Sequence, residues 1–317
     1  MKRYLFALVF LSAFFAMFSF LESRTVIFRT LVSSAKTAIA PETEARLLFV
    51  GDLMFDRHIR TVMERSGGEA VLGSVTPLLK DADLTIGNLE GPVTDNLSQS
   101  QGTKVGDLTN MRFTFSPAVP KLLHDAGFDL VSIGNNHIQD FGVEGVRSTR
   151  AYLSSANISY VGDPTGASTE PVVKEVNGIT VAFVAYSDFV GGDADRAMQE
   201  VAGSTADVTV VLAHWGTEYE AEPLPRVRKL AGDFAAAGAD LIIGSHPHVI
   251  GAVEDIGTTR VYYSLGNFVF DQYFDQNVRC GLAVKATVRK GKSGVALAFE
   301  ETKVGMRSDG ATVLGCS

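Results

Sequence analysis

Four of the six histidines in this 317-residue chain stand directly behind short apolar runs. "FDLVSIGNNH" delivers Asn135, Asn136 and His137, with Asp140 just beyond. "VTVVLAHWGTEYE" delivers His214, followed by Glu218 and Glu220, and "DLIIGSHPHV" delivers His246 and His248. Carboxylates are placed the same way: "RLLFVGD" ends in Asp52, and "ADLTIGNLE" ends in Asn88 and Glu90. Taken singly, each has an ordinary use. Gly-Asp behind a strand is commonly a turn or a helix cap, and a histidine at a strand end can be a satisfied core side chain. "SHPH" is harder to explain that way, because Pro247 fixes the chain and sets both imidazoles in one loop. Together, imidazole, carboxylate and carboxamide at five strand ends make a donor set for one or two divalent ions such as Mn, Zn or Fe. The remaining histidines, His58 and His124, fall in helix-like segments and are read as surface residues.

The elements that must carry these groups alternate. Strand-like runs are "RLLFV" (46–50), "ADLTI" (82–86), "FDLVSI" (128–133), "ITVAFVAY" (179–186), "VTVVLA" (208–213), "DLIIG" (240–244) and "RVYYSL" (260–265), several of them continuous and rich in Val and Ile. Such runs suit strands buried on both faces. Between them, "GVEGVRSTRAYLSSAN" and "LPRVRKLAGDFAAAGAD" carry apolar residues at helical spacing. "SPAVPKLLHDAG" predicts a helix capped by Ser116, with Pro117 at its first position and Gly127 as its stop. Alternation of strand and helix predicts a layered α/β domain. The late runs "LAVKATV" and "GVALAFE" have no helix between them, which adds an antiparallel part and hence a mixed sheet or a pair of sheets. Ligands of open α/β sheets bind outside the carboxyl ends of the strands, so five strands aim Asp, Glu, Asn and four His at one region.

Net charge is −8 and the sequence pI near 5.3, with no dense Lys/Arg cluster. A general affinity for nucleic acid needs a basic face, so that partner class is set aside. Two cysteines, Cys280 and Cys316, allow at most one internal disulfide, and without a CxxC they offer no thiolate metal site. At the N-terminus, Lys2 and Arg3 precede an uncharged stretch from Tyr4 to Leu21. That stretch exceeds the ~7–15 apolar residues of a signal-peptide core and reaches the lower limit, near 17, for a membrane span. It ends in Phe18, Phe20 and Leu21 rather than in small residues. Positive charge on the short side favours a cytoplasmic N-terminus and an exported body. The expected organisation is a signal-anchor helix at 1–24, a linker at 25–45, one domain at 46–305 and a tail at 306–317. A cleaved leader and a secreted body is the alternative.

Six segments in order, "GDLMFDR", "IGNLEGPVT", "AGFDLVSIGNNHIQDFG", "VVLAHWGTEYE", "GADLIIGSHPHVI" and "YYSLGNFVFDQ", resemble the capsule-synthesis CapA family, which is associated with poly-γ-glutamate production. The resemblance runs from about Leu47 to Asp271. It implies the calcineurin-like metallophosphoesterase fold, an α/β/β/α sandwich with mixed sheets. Carried over residue by residue, it makes Asp52 a ligand to one metal and Glu90 the bridging carboxylate. Asn136, His214, His246 and His248 become further ligands, and His137 the proton donor to the leaving group. Asn135 fixes its loop. Arg57 matches an arginine of the family that could hold a carboxylate or phosphate bidentately; a surface salt bridge is its plainer use. The sequence departs from the phosphoesterase pattern at Asp52-Leu53-Met54, where Asp-x-His is usual, and at Glu90, where aspartate is usual. The resemblance further implies a membrane-anchored, extracytoplasmic, metal-dependent hydrolase of capsule or poly-γ-glutamate synthesis. Its partners would be a polyanionic polymer or phosphoester substrate, the membrane, and other membrane subunits of the synthetase. A general phosphodiesterase or nucleotidase, and a polymer-binding subunit without turnover, are the competing readings.

Overall fold

The computed structural model describes residues 43–103, 107, 110–165, 170–190 and 194–316. The anchor expected at 1–24 lies outside them, as does all but the end of the expected linker. Among the described residues no helix is long and apolar enough to cross a membrane.

One strand explains the layering. In β1 (Thr43–Leu53), Leu47 and Phe49 belong to one apolar cluster while Leu48 and Val50 belong to another. Successive side chains of a strand point to opposite faces, so an unbroken apolar run must be covered on both sides. β6 (Ile179–Ser187), β7 (Val208–His214) and β8 (Leu241–Ser245) divide in the same way: Val181, Val210 and Leu241 join Leu47 and Phe49, whereas Val184, Val211 and Ile242 face away. Three apolar clusters result, one between two sheets and one outside each. The outer clusters are closed by helices. α1 (Arg57–Ser66), α2 (Glu69–Leu72), α3 (Thr76–Leu79), α4 (Val119–Ala126) and α5 (Gly142–Ser155) cover one sheet; α6 (Ala194–Ala202) and α7 (Pro225–Ala237) cover the other. The α/β/β/α sandwich implied by the resemblance is the architecture observed.

The first sheet adds β2 (Leu84–Leu89), β3 (Leu130–Ser132), β4 (Ser159–Val161), β12 (Cys280–Gly291), β13 (Gly294–Met306) and β14 (Thr312–Leu314), in the order β14-β13-β12-β1-β2-β3-β4. Strands β1 to β4 run parallel, and β12 to β14 extend the sheet antiparallel, as the helix-free C-terminal runs predict. The second sheet takes β5 (Val172–Val176), β9 (Val253–Ile256) and β10 (Thr259–Tyr262) in the order β5-β6-β7-β8-β10-β9. The short β11 (Asn267–Val269) pairs parallel with the end of β1, setting Asp52 opposite Asn267. Two glycines permit that approach: a Cβ on Gly51 would lie 1.8 Å from the Gly266 carbonyl oxygen, and one on Gly281 would lie 1.8 Å from the Asn267 carbonyl oxygen.

Three boundaries differ from expectation. β1 opens at Thr43, inside the stretch read as linker. Residues 306–316, read as a tail, carry β14, and Cys316 is bonded to Cys280. Helix α4 starts at Val119 with Pro120 in its first turn; Ser116 instead opens a preceding turn whose carbonyl accepts from Val119 N at 2.9 Å. Gly127 ends the helix in the left-handed region, as its position predicts.

Candidate metal centre

The strand ends converge. Asp52 closes β1, Glu90 follows β2, Asn135 to His137 follow β3, His214 closes β7, and His246 and His248 follow β8. Asp52, Glu90, His137, His214, His246 and His248 are all buried, and Asn136 is partly buried. Two trios form among them, each offering ligand atoms within 4.8 Å of one another: Asp52, Glu90 and His248, and Glu90, His214 and His246. Glu90 belongs to both. Asn136 joins the second trio, its Oδ1 lying 2.8 Å from His214 Nε2.

The groups fit a cation better than they fit one another. Both Glu90 oxygens and His246 Nδ1 are buried without a hydrogen-bond partner. The imidazole nitrogens of His248 and His214 stand 3.6 and 4.0 Å from Glu90 Oε1, beyond hydrogen-bond reach. A buried carboxylate left in this state carries a large desolvation cost that a bound cation would offset. Burial, and then the Asp52 carboxylate, push the Glu90 carboxyl well above its usual range. Burial, and then the His246 and His248 rings, hold His214 well below the ordinary imidazole value. Burial, with His248 next, lowers His246 to about 4. Metals bind neutral imidazole, so His214 and His246 are already in ligand form at neutral pH.

A polar net orients the set. Asn88 Nδ2 donates to Asp52 Oδ1 at 2.8 Å, and Asn135 Nδ2 donates to Asn88 Oδ1 at 3.1 Å and to Leu89 O at 2.8 Å. Asn135 thus ties its loop to β2, the role expected of it. His214 Nδ1 lies 2.8 Å from Ser245 Oγ, which leaves Nε2 facing Asn136 and Glu90. The loop after β8 holds both of its histidines at positive φ, 96° at His246 and 58° at His248. Such backbone is costly for residues with a Cβ and persists where the surroundings over-determine it. Here His246 N donates to Asp52 Oδ2 at 3.3 Å and Pro247 O accepts from Tyr219 N at 2.8 Å.

His137 stands at the edge of the cluster. Its Nδ1 lies 3.0 Å from Asp140 Oδ2, which also accepts from Phe113 N at 2.7 Å, and its ring stacks on Phe113 with centroids 4.2 Å apart. Arg57 is no surface residue: it is buried, paired with Asp271, donates to Asn110 Oδ1 at 3.1 Å, and lies between the rings of Phe113 and Phe270. His58 and His124 are exposed, as expected. Met54, at the position of the missing histidine, is fully buried in the helix-side cluster, with its sulfur 3.0 Å from Asp56 N. It supplies no ligand.

Side chains that strand-end reasoning leaves without a role complete the surroundings. Phe189 stacks on His246 at 4.3 Å between centroids, Ser245 and Asn88 hold His214 and Asp52, and Asn267 and Asp271 come from the β11 region. The last two sit in "YYSLGNFVFDQ", where an Asn-Phe-Val-Phe-Asp run just after a strand is the sequence signal for them.

The chain is similar to known proteins over most of its length. The family model described as "Bacterial capsule synthesis protein PGA_cap" matches residues 46–272. A "PGA biosynthesis protein CapA" of Bacillus subtilis is 33% identical over 276 residues, covering 81% of this chain and 70% of that protein. A "Capsule biosynthesis protein CapA" of Bacillus anthracis is 33% identical over 250 residues, covering 71% of this chain and 60% of that protein. Among solved structures, a hypothetical protein from Thermus thermophilus superposes with a TM-score of 0.48 at 18% identity, covering 81% of this chain and 99% of that one. On the family match and the identity to both capsule proteins, this chain belongs to the bacterial capsule synthesis protein family PGA_cap.

Proposed function

We propose that this protein is a metal-dependent hydrolase of capsule or poly-γ-glutamate synthesis, with its folded body outside the cytoplasmic membrane. The observation that carries the reading is Glu90, a buried carboxylate without hydrogen-bond partners shared by two ligand trios. Asp52, Glu90 and His248 would hold one divalent cation; Glu90, Asn136, His214 and His246 would hold a second. Bound there, divalent cations supply Lewis acidity and a water acidified for attack.

The chain's own residues do the rest. Asp140 anchors His137 Nδ1, which leaves Nε2 to hand a proton to a leaving group. Phe113 backs that ring and so limits its rotation. Arg57 is fixed by Asp271 and Asn110 and supplies positive charge beside the site for a carboxylate or phosphate of the substrate. Two further features favour an exported body: the uncharged stretch behind Lys2 and Arg3, and the Cys280–Cys316 disulfide, a bond that persists in oxidising compartments.

A host that makes poly-γ-glutamate but lacks its own relative of this protein provides the test. The wild-type chain should restore surface polymer, whereas Glu90→Gln and His137→Ala, present at equal levels, should not. Equal restoration by both variants would contradict a hydrolytic role. Turnover of a generic phosphodiester without restored polymer would replace the capsule assignment by a general phosphodiesterase.

A further inference from the structure

We propose that Asn267, on β11, is the positioning residue that sets His248 to present Nε2 to the metal. This deepens the metal reading and rests on it. Asn267 is fully buried, and its carboxamide orientation is determined by its neighbours. Nδ2 donates to Val278 O at 2.9 Å, to Gln272 Oε1 at 3.1 Å and to His248 O at 3.4 Å. With the amino group turned to three acceptors, Oδ1 must face the other way, and it lies 3.0 Å from His248 Nδ1. Asp52 Oδ2 also lies 3.2 Å from that nitrogen, but the hydrogen bond of Nδ1 is to Asn267. Neither oxygen can donate: a carboxamide oxygen and a carboxylate only accept. The proton of neutral His248 therefore resides on Nδ1, and the lone pair is left on Nε2, 3.6 Å from Glu90 Oε1. Ligating histidines ordinarily carry their other N–H to such an acceptor, which fixes both tautomer and ring angle.

The arrangement matters because this half of the centre has few protein ligands. Met54 supplies none, which leaves Asp52, Glu90 and His248. Asn267 is in turn held from two sides. β11 is seated against β1 and Gly281, and Gln272 Nε2 reaches the Tyr219 hydroxyl at 3.2 Å. A continuous chain of hydrogen bonds thus runs from His248 through Asn267 and Gln272 to Tyr219, which is 45% exposed and held at φ 67°.

Two readouts on the full-length protein test the assignment. Nitrogen-15 NMR of labelled histidine, on metal-free protein, reports the tautomer of each ring. His248 is expected as the Nδ1–H form in the wild type and as a tautomer mixture in Asn267→Ala; an Nε2–H form in the wild type would overturn the proposal whether or not metal binds. Metal affinity by chelator competition with Mn2+ or Zn2+ is the second. Asn267→Ala should weaken one of two ions by about 10–100-fold and leave the other unchanged. Unchanged affinity in Asn267→Ala beside a lost ion in His248→Ala would also overturn it. A protein that binds no metal, yet shows the Nδ1–H tautomer lost in Asn267→Ala, would sink the metal reading and leave the orienting role of Asn267 standing.

Discussion

Glu90 is desolvated beside Asp52, with no donor to either carboxyl oxygen. Burial and the Asp52 carboxylate already disfavour the ionised form of Glu90, so a neutral carboxamide of the same size costs the metal-free fold little. Glu90→Gln is therefore expected to abolish tight metal binding while the metal-free variant melts no lower than the metal-free wild type, as read by thermal denaturation in chelator. His137 behaves oppositely. It stands outside both ligand trios, so under the proposed hydrolysis His137→Ala should keep the wild-type metal content and lose about 10²–10⁴ in turnover, the usual contribution of a positioned acid. Steady-state rates and elemental analysis of the same sample check both halves. Much of this scale was legible in the residues. Asp52, Glu90, His214, His246 and His248 announce themselves as polar residues behind apolar runs, and the structure brings them together. Asn267 did not, because its partner His248 is met only through tertiary contact.

The elements show why the site holds its shape. Asp56 is fully buried at the N-cap of α1, and its carboxylate accepts from Arg57 N at 2.9 Å, Thr114 N at 2.8 Å and Ser98 Oγ, with Arg60 Nε 3.3 Å away. It ties the first turn of that helix to the segment carrying Asn110 and Phe113, and so fixes Arg57. Asp56→Ala should cost about 3 kcal/mol, since it strands the buried amides of Arg57 and Thr114, and should shift a urea midpoint without changing the denaturant slope. Long apolar runs made β1, β6, β7 and β8 readable, since both faces of each strand had to be covered. β4 and β11 span three residues each, too few for any periodicity, and exist because neighbouring strands already hold them. The start of α4 was displaced because Pro120, not Pro117, occupies the first turn; both satisfy the same local rule, and only packing chooses.

At the scale of the whole molecule, Cys280–Cys316 spans 36 residues and joins the start of β12 to the end of the described chain. It clamps β14 beside β13 and stands next to the loop that supplies Gln272 and Val278 to Asn267. Loop-closure entropy assigns it about 3–4 kcal/mol, so reduction should lower the melting midpoint by several degrees, and Cys316→Ser should lower it equally and be insensitive to reductant. Two cysteines alone could not reveal the pairing; the antiparallel run of β12, β13 and β14 brings them within 5.6 Å between Cα atoms. The four-layer sandwich follows from alternation of strand and helix, but the meeting of two sheets over one cluster of strand ends emerges only once the layers are stacked.

Glu90 is shared by both ligand trios, and counting ions tests that sharing most directly. Elemental mass spectrometry of the full-length protein, loaded with Mn2+ or Zn2+ and freed of excess, should find two ions per chain in the wild type, one in His246→Ala, one in His248→Ala, and none retained in Glu90→Gln. A folded protein that holds no ion after loading, or a single ion indifferent to Glu90→Gln, would contradict it.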